Sequence, residues 1–325
     1  PMPAKVSLKD RISNFNIEKY GPFVALAVLL LVMLVLQPQF FKINNVVNVL
    51  KQVSYMGCIA VGMTFVIVTG GIDLSVGSMA AMTGGLMLVT TNHFKGSIPS
   101  IILALIAGCA LAVACGWAVG TLTTKGRIAP FIVTLGTGAI YRSIVLQAAN
   151  GGEFRGATET YPVIGQGSFL GIPYAIFVFL AFAIVCHIIL NNTRLGRYMY
   201  AVGSNEDVAR YSAIKTDRIK IIAYMILGFG VFLMALMFSS RINAVSSSNF
   251  GAGLELDAIA AVVIGGTSMK GGRGWIWGTV VGVVILGVVG SMLNWLNVSA
   301  YLQGAVKGLV IIAAVLVQRG RGEAK

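Results

Sequence analysis

The sequence predicts an all-α, polytopic membrane protein of about ten transmembrane helices. Composition is the first reason: of 325 residues, 57% are apolar and only 11% charged, far too few charges to cover a water-soluble domain of this size. The second is that the apolar residues fall in runs long enough to cross a hydrocarbon core, which takes about 20 residues. The third is the placement of Lys and Arg, which collect in alternate loops as they do on the cytoplasmic side of membrane proteins.

The apolar runs lie at about 22–37, 44–69, 75–91, 97–122, 128–148, 172–191, 218–240, 255–269, 275–292 and 298–318. The fifth carries Pro130 and Arg142, and the eighth is short and ends in Gly265-Gly266. The first run has no small-residue cleavage site after it and reads as a span rather than a signal peptide. Ten such runs leave little chain for a separate soluble domain. The expected division is a cytoplasmic tail over 1–21, one transmembrane domain over 22–318 and a second cytoplasmic tail over 319–325.

With both termini placed in the cytoplasm, 17 of the 24 Lys and Arg fall on that side. They lie in the N-terminal tail, at Lys125 and Arg127, across 191–220, at Lys270 and Arg273, and in the C-terminal tail. Only Lys42, Lys51, Lys95, Arg155 and Arg241 lie outside. Losing or adding one span would scramble this split. It also accounts for the net charge of +13 without nucleic acid as a partner.

Two loops are long. The outer loop, 149–171, is glycine-rich. The inner segment, 191–217, is mixed in charge, and Ser204-Asn205-Glu206-Asp207 offers a hydroxyl cap followed three residues later by an acid, the signature of a helix start. A short surface helix is expected over about 205–213. On the cytoplasmic side such a helix either lies on lipid headgroups or presses into a groove of a soluble partner.

Glycine is abundant, at 40 residues. Gly116-x3-Gly120, Gly278-x3-Gly282 and Gly304-x3-Gly308 have the spacing that lets membrane helices approach closely. Gly70-Gly71-x5-Gly77 is echoed by Gly265-Gly266-x5-Gly272, hinting at two inverted five-helix halves with helices broken at the Gly-Gly turns. Cys58, Cys109, Cys115 and Cys186 sit in apolar runs and read as small buried residues. His93 and His187 lie at opposite span edges, without metal-ligand spacing.

Intramembrane polar residues are costly and mark function or pairing. Asp73 and Ser75 follow the first Gly-Gly turn. The pair fits a solvated cytoplasmic turn, with Asp73 capping the next helix, or a broken helix lining a pathway. Lys307 lies deep in the last run, with Glu255 and Asp257 as plausible partners. Arg142 is expected to snorkel toward its span end. No Gly-x4-Gly-Lys-Ser/Thr phosphate loop is present, so the chain has no recognisable means of binding ATP.

Four segments together point to a family. Gly70-Gly71-Ile72-Asp73-Leu74-Ser75-Val76-Gly77-Ser78 resembles the signature of the permease subunits of bacterial ABC sugar importers of the ribose/galactose type. Asn191 through Arg197 with Ala201 through Glu206 resembles that family's cytoplasmic loop. Leu254 through Ser268 resembles its late helix and turn, and Asn297 through Val317 its last span. One departure is Ser212-Ala213-Ile214, where the family usually has Ser-Gly-Ile.

The resemblance implies a homodimer in the bacterial inner membrane, surrounded by lipid. An ABC ATPase beneath it would bind ATP and Mg, and a periplasmic sugar-binding protein would dock above. The permease would carry a monosaccharide, a ribose-like pentose or a hexose, with no cofactor and no catalytic residue of its own. Coupling to the ATPase then falls to Ser204, Asn205, Glu206, Asp207, Val208, Arg210, Tyr211 and Ile214, and docking of the binding protein to Arg155 and Arg241. The translocation path or its polar lining falls to Asp73, Ser75, Glu255, Asp257 and Lys307, with Ser246 through Asn249 near the outer mouth. A nucleoside, polyol or branched-chain amino acid is the alternative cargo. An ion-coupled transporter would instead work alone.

Overall fold

The computed structural model describes residues 17–299, together with 302–306, 308, 309 and 312. Helix α1 (Ile17–Leu36) is followed by a single 3-10 turn and then by α2 (Ile43–Val68), α3 (Val76–His93), α4 (Ile98–Thr124) and α5 (Pro130–Ala148). The loop after α5 contributes strand β1 (Glu153–Arg155), the short helix α6 (Pro162–Gln166) and the hairpin β2 (Ser168–Phe169) with β3 (Ile172–Pro173). Then come α7 (Tyr174–Asn192), α8 (Arg194–Ser204), α9 (Glu206–Tyr211), α10 (Thr216–Ile242), β4 (Ala244–Ser246), α11 (Leu254–Ile264) and α12 (Ile276–Trp295).

Among the described residues, α2, α4, α5, α7, α10 and α12 are long and apolar enough to cross a membrane. Six of the expected runs match these helices; the first and third correspond to α1 and α3, which fall outside that set. The eighth run yields only α11, which at about 1.5 Å per residue is roughly 16 Å long, half of a hydrocarbon core. Residues 243–253 before it hold strand β4 and turns, so this segment is a half-length helix. The last run lies partly outside the described residues, as do Lys307, residues 1–16 and the tail over 319–325, while helix α1 already begins at Ile17, inside the tail expected over 1–21.

Burial sorts the helices. The most apolar stretch of α2 is 89% buried, against 28% for α4. Helix α2 is therefore the centre of the bundle, and α4 shows its outer face to lipid or to a partner, consistent with its all-round apolar sequence. Helix α10 packs most extensively on α4 and α2.

Two of the glycine pairs are used for close helix approach. A β-carbon at Gly116 would collide with the Tyr224 carbonyl, and one at Gly120 would lie 2.9 Å from the Ile221 Cα, both on α10. Similarly, Gly278 and Gly282 on α12 fit against the backbone of Gly265 and Ala261. Gly304 and Gly308 face open space among the described residues. Strand β1 pairs antiparallel with β4, Phe154 opposite Val245, tying the loops after α5 and α10 together.

Candidate functional site

Helix α2 ends in a Schellman turn: Gly70 N donates to Ile67 O and Gly71 N to Val66 O, both at 2.9 Å, with Gly70 at φ +81°. Helix α11 ends the same way, Gly266 N donating to Val263 O at 2.9 Å and Thr267 N to Val262 O at 3.2 Å, with Gly266 at φ +90°. The two Gly-Gly sequences therefore close identical hydrogen-bond patterns, each needing the left-handed residue that glycine supplies without strain. The turns also meet, because Gly272 N donates to Val68 O at 2.9 Å.

Between them sits the end of α8. A β-carbon at Gly203 would collide with the Val68 carbonyl and lie 2.6 Å from Gly272 N. One at Gly271 would lie 2.8 Å from Gly203 O and 3.1 Å from Gly70 N. Ser204 packs directly on Gly272. The hydrophilic segment 191–217 is thus fitted by its backbone against the end of α2 and the loop after α11.

From this junction the chain enters α9. Asn205, not Ser204, is the cap, its Oδ1 accepting from Val208 N at 3.0 Å; Ser204 ends the preceding helix instead. Glu206 accepts from Arg210 Nη2 at 3.3 Å and from Lys220 Nζ at the start of α10. Burial raises the Glu206 carboxyl, but Lys220 and Arg210 outweigh that and hold it below its ordinary range. Asp207, Val208, Arg210 and Tyr211 face out, with Val208 58% and Tyr211 90% exposed. Ile214 packs inward on the core, away from those two side chains.

Asp73 is fully buried, which overturns the reading of a solvated turn. Its Oδ1 accepts from Ser75 N at 2.7 Å and Ser75 Oγ at 2.6 Å, and its Oδ2 has no hydrogen-bond partner among the described residues. Tyr224, whose hydroxyl donates to Ile72 O at 3.3 Å, Tyr141 and Cys115 surround it within electrostatic range. Just beyond, the first turn of α3 meets the first turn of α11. Gly77 and Gly251 touch backbone to backbone, and a β-carbon at Gly77 would lie 2.8 Å from Glu255 Oε2.

Arg142 does not snorkel. It reaches in from α5, donating from Nη1 to Ser247 O at 2.9 Å and from Nη2 to Phe250 O at 3.0 Å. It pins the irregular segment before α11, with the Glu255 carboxylate acting on it electrostatically. Glu255 and Asp257 point to different places, since Asp257 lines a cavity on the other side of α11.

That cavity has a volume of about 460 Å³ and is walled by α2, α10, the 249–257 segment and α12. Its polar groups are Gln52, Tyr55, Arg241, Asn249 and Asp257. The Arg241 guanidinium lies over the Tyr55 ring, 5.7 Å from its centroid. Arg241 is half-buried, whereas Arg155 is exposed and pairs with Glu153 at 3.3 Å. The two cations expected on one docking face therefore have different surroundings. Among the described residues, no cluster of His, Cys, Asp or Glu could hold a metal.

A permease family described as the permease component of the branched-chain amino acid transport system matches residues 45–315. The chain is also 44% identical over 305 residues to the ribose import permease protein of Bacillus subtilis, covering 93% of each chain. To the ribose import permease protein of Escherichia coli K12 it is 41% identical, covering 90% of this chain and 91% of that one. To the D-allose transport system permease of the same bacterium it is 34% identical, covering 93% and 92%.

The chain belongs to this permease family. Within the permease, the departure at Ala213 takes a definite form. Helix α9 closes with Ala213 N on Arg210 O and Ile214 N on Ala209 O, both at 3.1 Å, the same Schellman pattern as the Gly-Gly turns. Ala213 keeps the left-handed conformation at φ +61° despite its β-carbon.

Several residues of the permease's sites escaped sequence reading. Gly203 lies within the 201–206 motif, and a glycine two residues before the Asn205 cap is its sole local signal. Gln52, Tyr55 and Phe238 carried none, because each looks like an ordinary member of an apolar run and only long-range packing brings them to one cavity.

Proposed function

We propose that this chain is the membrane-spanning subunit of an ATP-driven importer that takes a monosaccharide from a periplasmic binding protein to the cytoplasm. The observation that carries the reading is identity of 34–44% over more than nine-tenths of the chain to permeases named for ribose and allose. It is not an enzyme; ATP and Mg belong to a separate ATPase. A homodimer of ten-span subunits in the inner membrane, embedded in lipid with both termini cytoplasmic, fits the basic loops. So does a tail over 1–21, a permease domain over 22–318 and a tail over 319–325.

The coupling segment within 191–217 is the part best supported by geometry. Val208 and Tyr211 are apolar side chains held out from a short capped helix, beside Asp207 and Arg210. The same segment is seated through Gly203 and Ser204 on the end of α2 and the loop after α11. A groove in the ATPase that grips Val208 and Tyr211 would pull on both at once. Glu206 and Asn205 hold the shape of the segment, and Ile214 anchors it to the core. Arg155, exposed on the outer loop, suits docking of the binding protein; Arg241 suits the cavity better.

The test is reconstitution. Proteoliposomes holding this chain with its ATPase, supplied with ribose-loaded binding protein, should take up radiolabelled ribose only with Mg-ATP. Uptake by this chain alone would point to an ion-coupled transporter, and uptake of leucine in place of sugar to the amino-acid branch of the family.

A further inference from the structure

Seen from the outer side, the cavity between α2, α10 and α12 has a rim and a floor. Gln52 and Asn249 are exposed at the rim, while Val53, Tyr55, Met56, Met234 and Leu286 are buried walls. Phe238 closes one side, its ring centroid 5.4 Å from that of Tyr55. About two helical turns further along α2, and as far back along α12, Thr64 Oγ1 and Thr279 Oγ1 share a fully buried hydrogen bond of 2.8 Å. That bond joins the two helices, and Ile59, Ala60, Met63 and Val283 fill the space between with no exposure. The cavity is closed toward the inner turns.

Its chemistry is mixed in a specific way. The Tyr55 hydroxyl is buried at the cavity wall, with no hydrogen bond of ordinary geometry among the described residues and the Arg241 guanidinium beside it. A ligand hydroxyl there could accept from Arg241 and pair with Tyr55 at once. Arg241 supplies donors, Asp257 acceptors, and the Gln52 and Asn249 amides both. One cation and one anion leave the cavity without a strong net charge. A sugar hydroxyl both donates and accepts, and a sugar ring presents C–H faces that suit an aromatic wall. The volume lies within the range of pockets that enclose small ligands.

We propose that this cavity is an outward-facing holding site for the cargo: a neutral, polyhydroxylated ring of monosaccharide size. Tyr55, Arg241, Gln52 and Asn249 contact its hydroxyls, Phe238 and Tyr55 form the apolar wall, and the Thr64–Thr279 bond closes the floor. The site rests on the importer reading above and gives it a location in this chain.

The experiment uses the complete importer in proteoliposomes, with ribose-loaded binding protein, measuring ribose uptake and stimulated ATP hydrolysis side by side. Gly290 lines the cavity with nothing within 4 Å of where its β-carbon would sit, so Gly290→Phe places bulk there. It should cut uptake at least about ten-fold while stimulated hydrolysis stays within about two-fold of the unaltered importer. Tyr55→Phe, which removes one oxygen, should lower uptake by about two- to ten-fold, the worth of a single hydrogen bond. Unchanged uptake in both variants, or parallel loss of uptake and hydrolysis, would overturn the cavity assignment. Absence of sugar uptake by the unaltered importer, or leucine uptake in its place, would instead overturn the importer reading.

Discussion

The amide of Gly272 donates to the carbonyl of Val68 at 2.9 Å, joining the loop after α11 to the last residue of α2. Gly203 fits against both partners of that bond. A backbone-to-backbone junction of this kind has little slack, since no side chain can hop rotamers to absorb a shift. Movement of the 194–211 segment must therefore move both turns, or break the junction.

Gly203→Ala tests the junction directly. Its β-carbon has no free space, and the obstacle is backbone, so the cost should be about 1–3 kcal/mol, as for overpacking elsewhere. The expected outcome is a lower thermal midpoint for the purified permease and loss of coupling between ATP hydrolysis and uptake. Gly203→Ala with normal stability and normal uptake would show that the fit is looser than the structure indicates.

Ala213→Gly should act in the opposite direction. Ala213 holds a left-handed conformation, which costs an L-residue roughly 1–2 kcal/mol relative to glycine. Glycine restores the residue usual in this family and loses some of that gain to greater freedom of the unfolded chain. A net stabilisation of about 1 kcal/mol is expected, read as a higher thermal midpoint with uptake unchanged. A fall in midpoint would mean that the methyl group makes a compensating contact.

Much of this architecture was legible in the chain because helix spacing and loop charge are local. The runs at 44–69, 97–122 and 218–240 match α2, α4 and α10 within a few residues. The run at 255–269 was read as a span because hydropathy does not distinguish a full helix from a half helix followed by an apolar turn. Ser204 was taken for the cap because hydroxyl and amide caps are chemically equivalent; the backbone at Asn205, extended at φ −160°, decides between them. Asp73 has the look of a turn residue because glycines stand beside it in sequence, whereas it is buried within electrostatic reach of Tyr141 and Tyr224, far along the chain. The cavity and the Gly203 junction are both products of long-range contact, and nothing local announces either.

Tyr211→Ala separates coupling from folding. With 90% of Tyr211 exposed, its removal should change stability by no more than about 0.5 kcal/mol. If Tyr211 is an anchor in the ATPase groove, association should weaken by about 2 kcal/mol, or roughly thirty-fold. Equilibrium binding of the purified permease to its ATPase checks both parts. Binding within about two-fold of the unaltered protein would move the contact elsewhere on the segment.

Glu206 is a poorer probe of docking because it is engaged at home, with Lys220 and Arg210. Its folded carboxyl lies below the ordinary value, so its contribution to stability is complete above the unfolded value of about 4.3. That contribution is lost as pH falls from there through the lower folded value. Glu206→Gln should therefore show a weaker acid dependence of the thermal midpoint below about pH 4.5, with little difference in the shape of the two curves at neutral pH. Identical acid profiles would show that the ion pairs do not persist in solution.

Asp73 offers the sharpest contrast between two small changes. Its Oδ1 accepts both hydrogen bonds from Ser75 at the start of α3, and its other oxygen has no partner. Asp73→Asn keeps an acceptor for Ser75 while removing a buried charge, so the fold should tolerate it. Asp73→Ala leaves the Ser75 amide and hydroxyl without their acceptor in a buried site, at a cost of about 1–3 kcal/mol for each unsatisfied group. The expected order of thermal midpoints in detergent is therefore Asp73→Asn close to the unaltered permease and Asp73→Ala well below it. If Asp73→Asn folds as well as the unaltered permease yet abolishes uptake, the negative charge itself serves transport, and the free oxygen is the atom to follow.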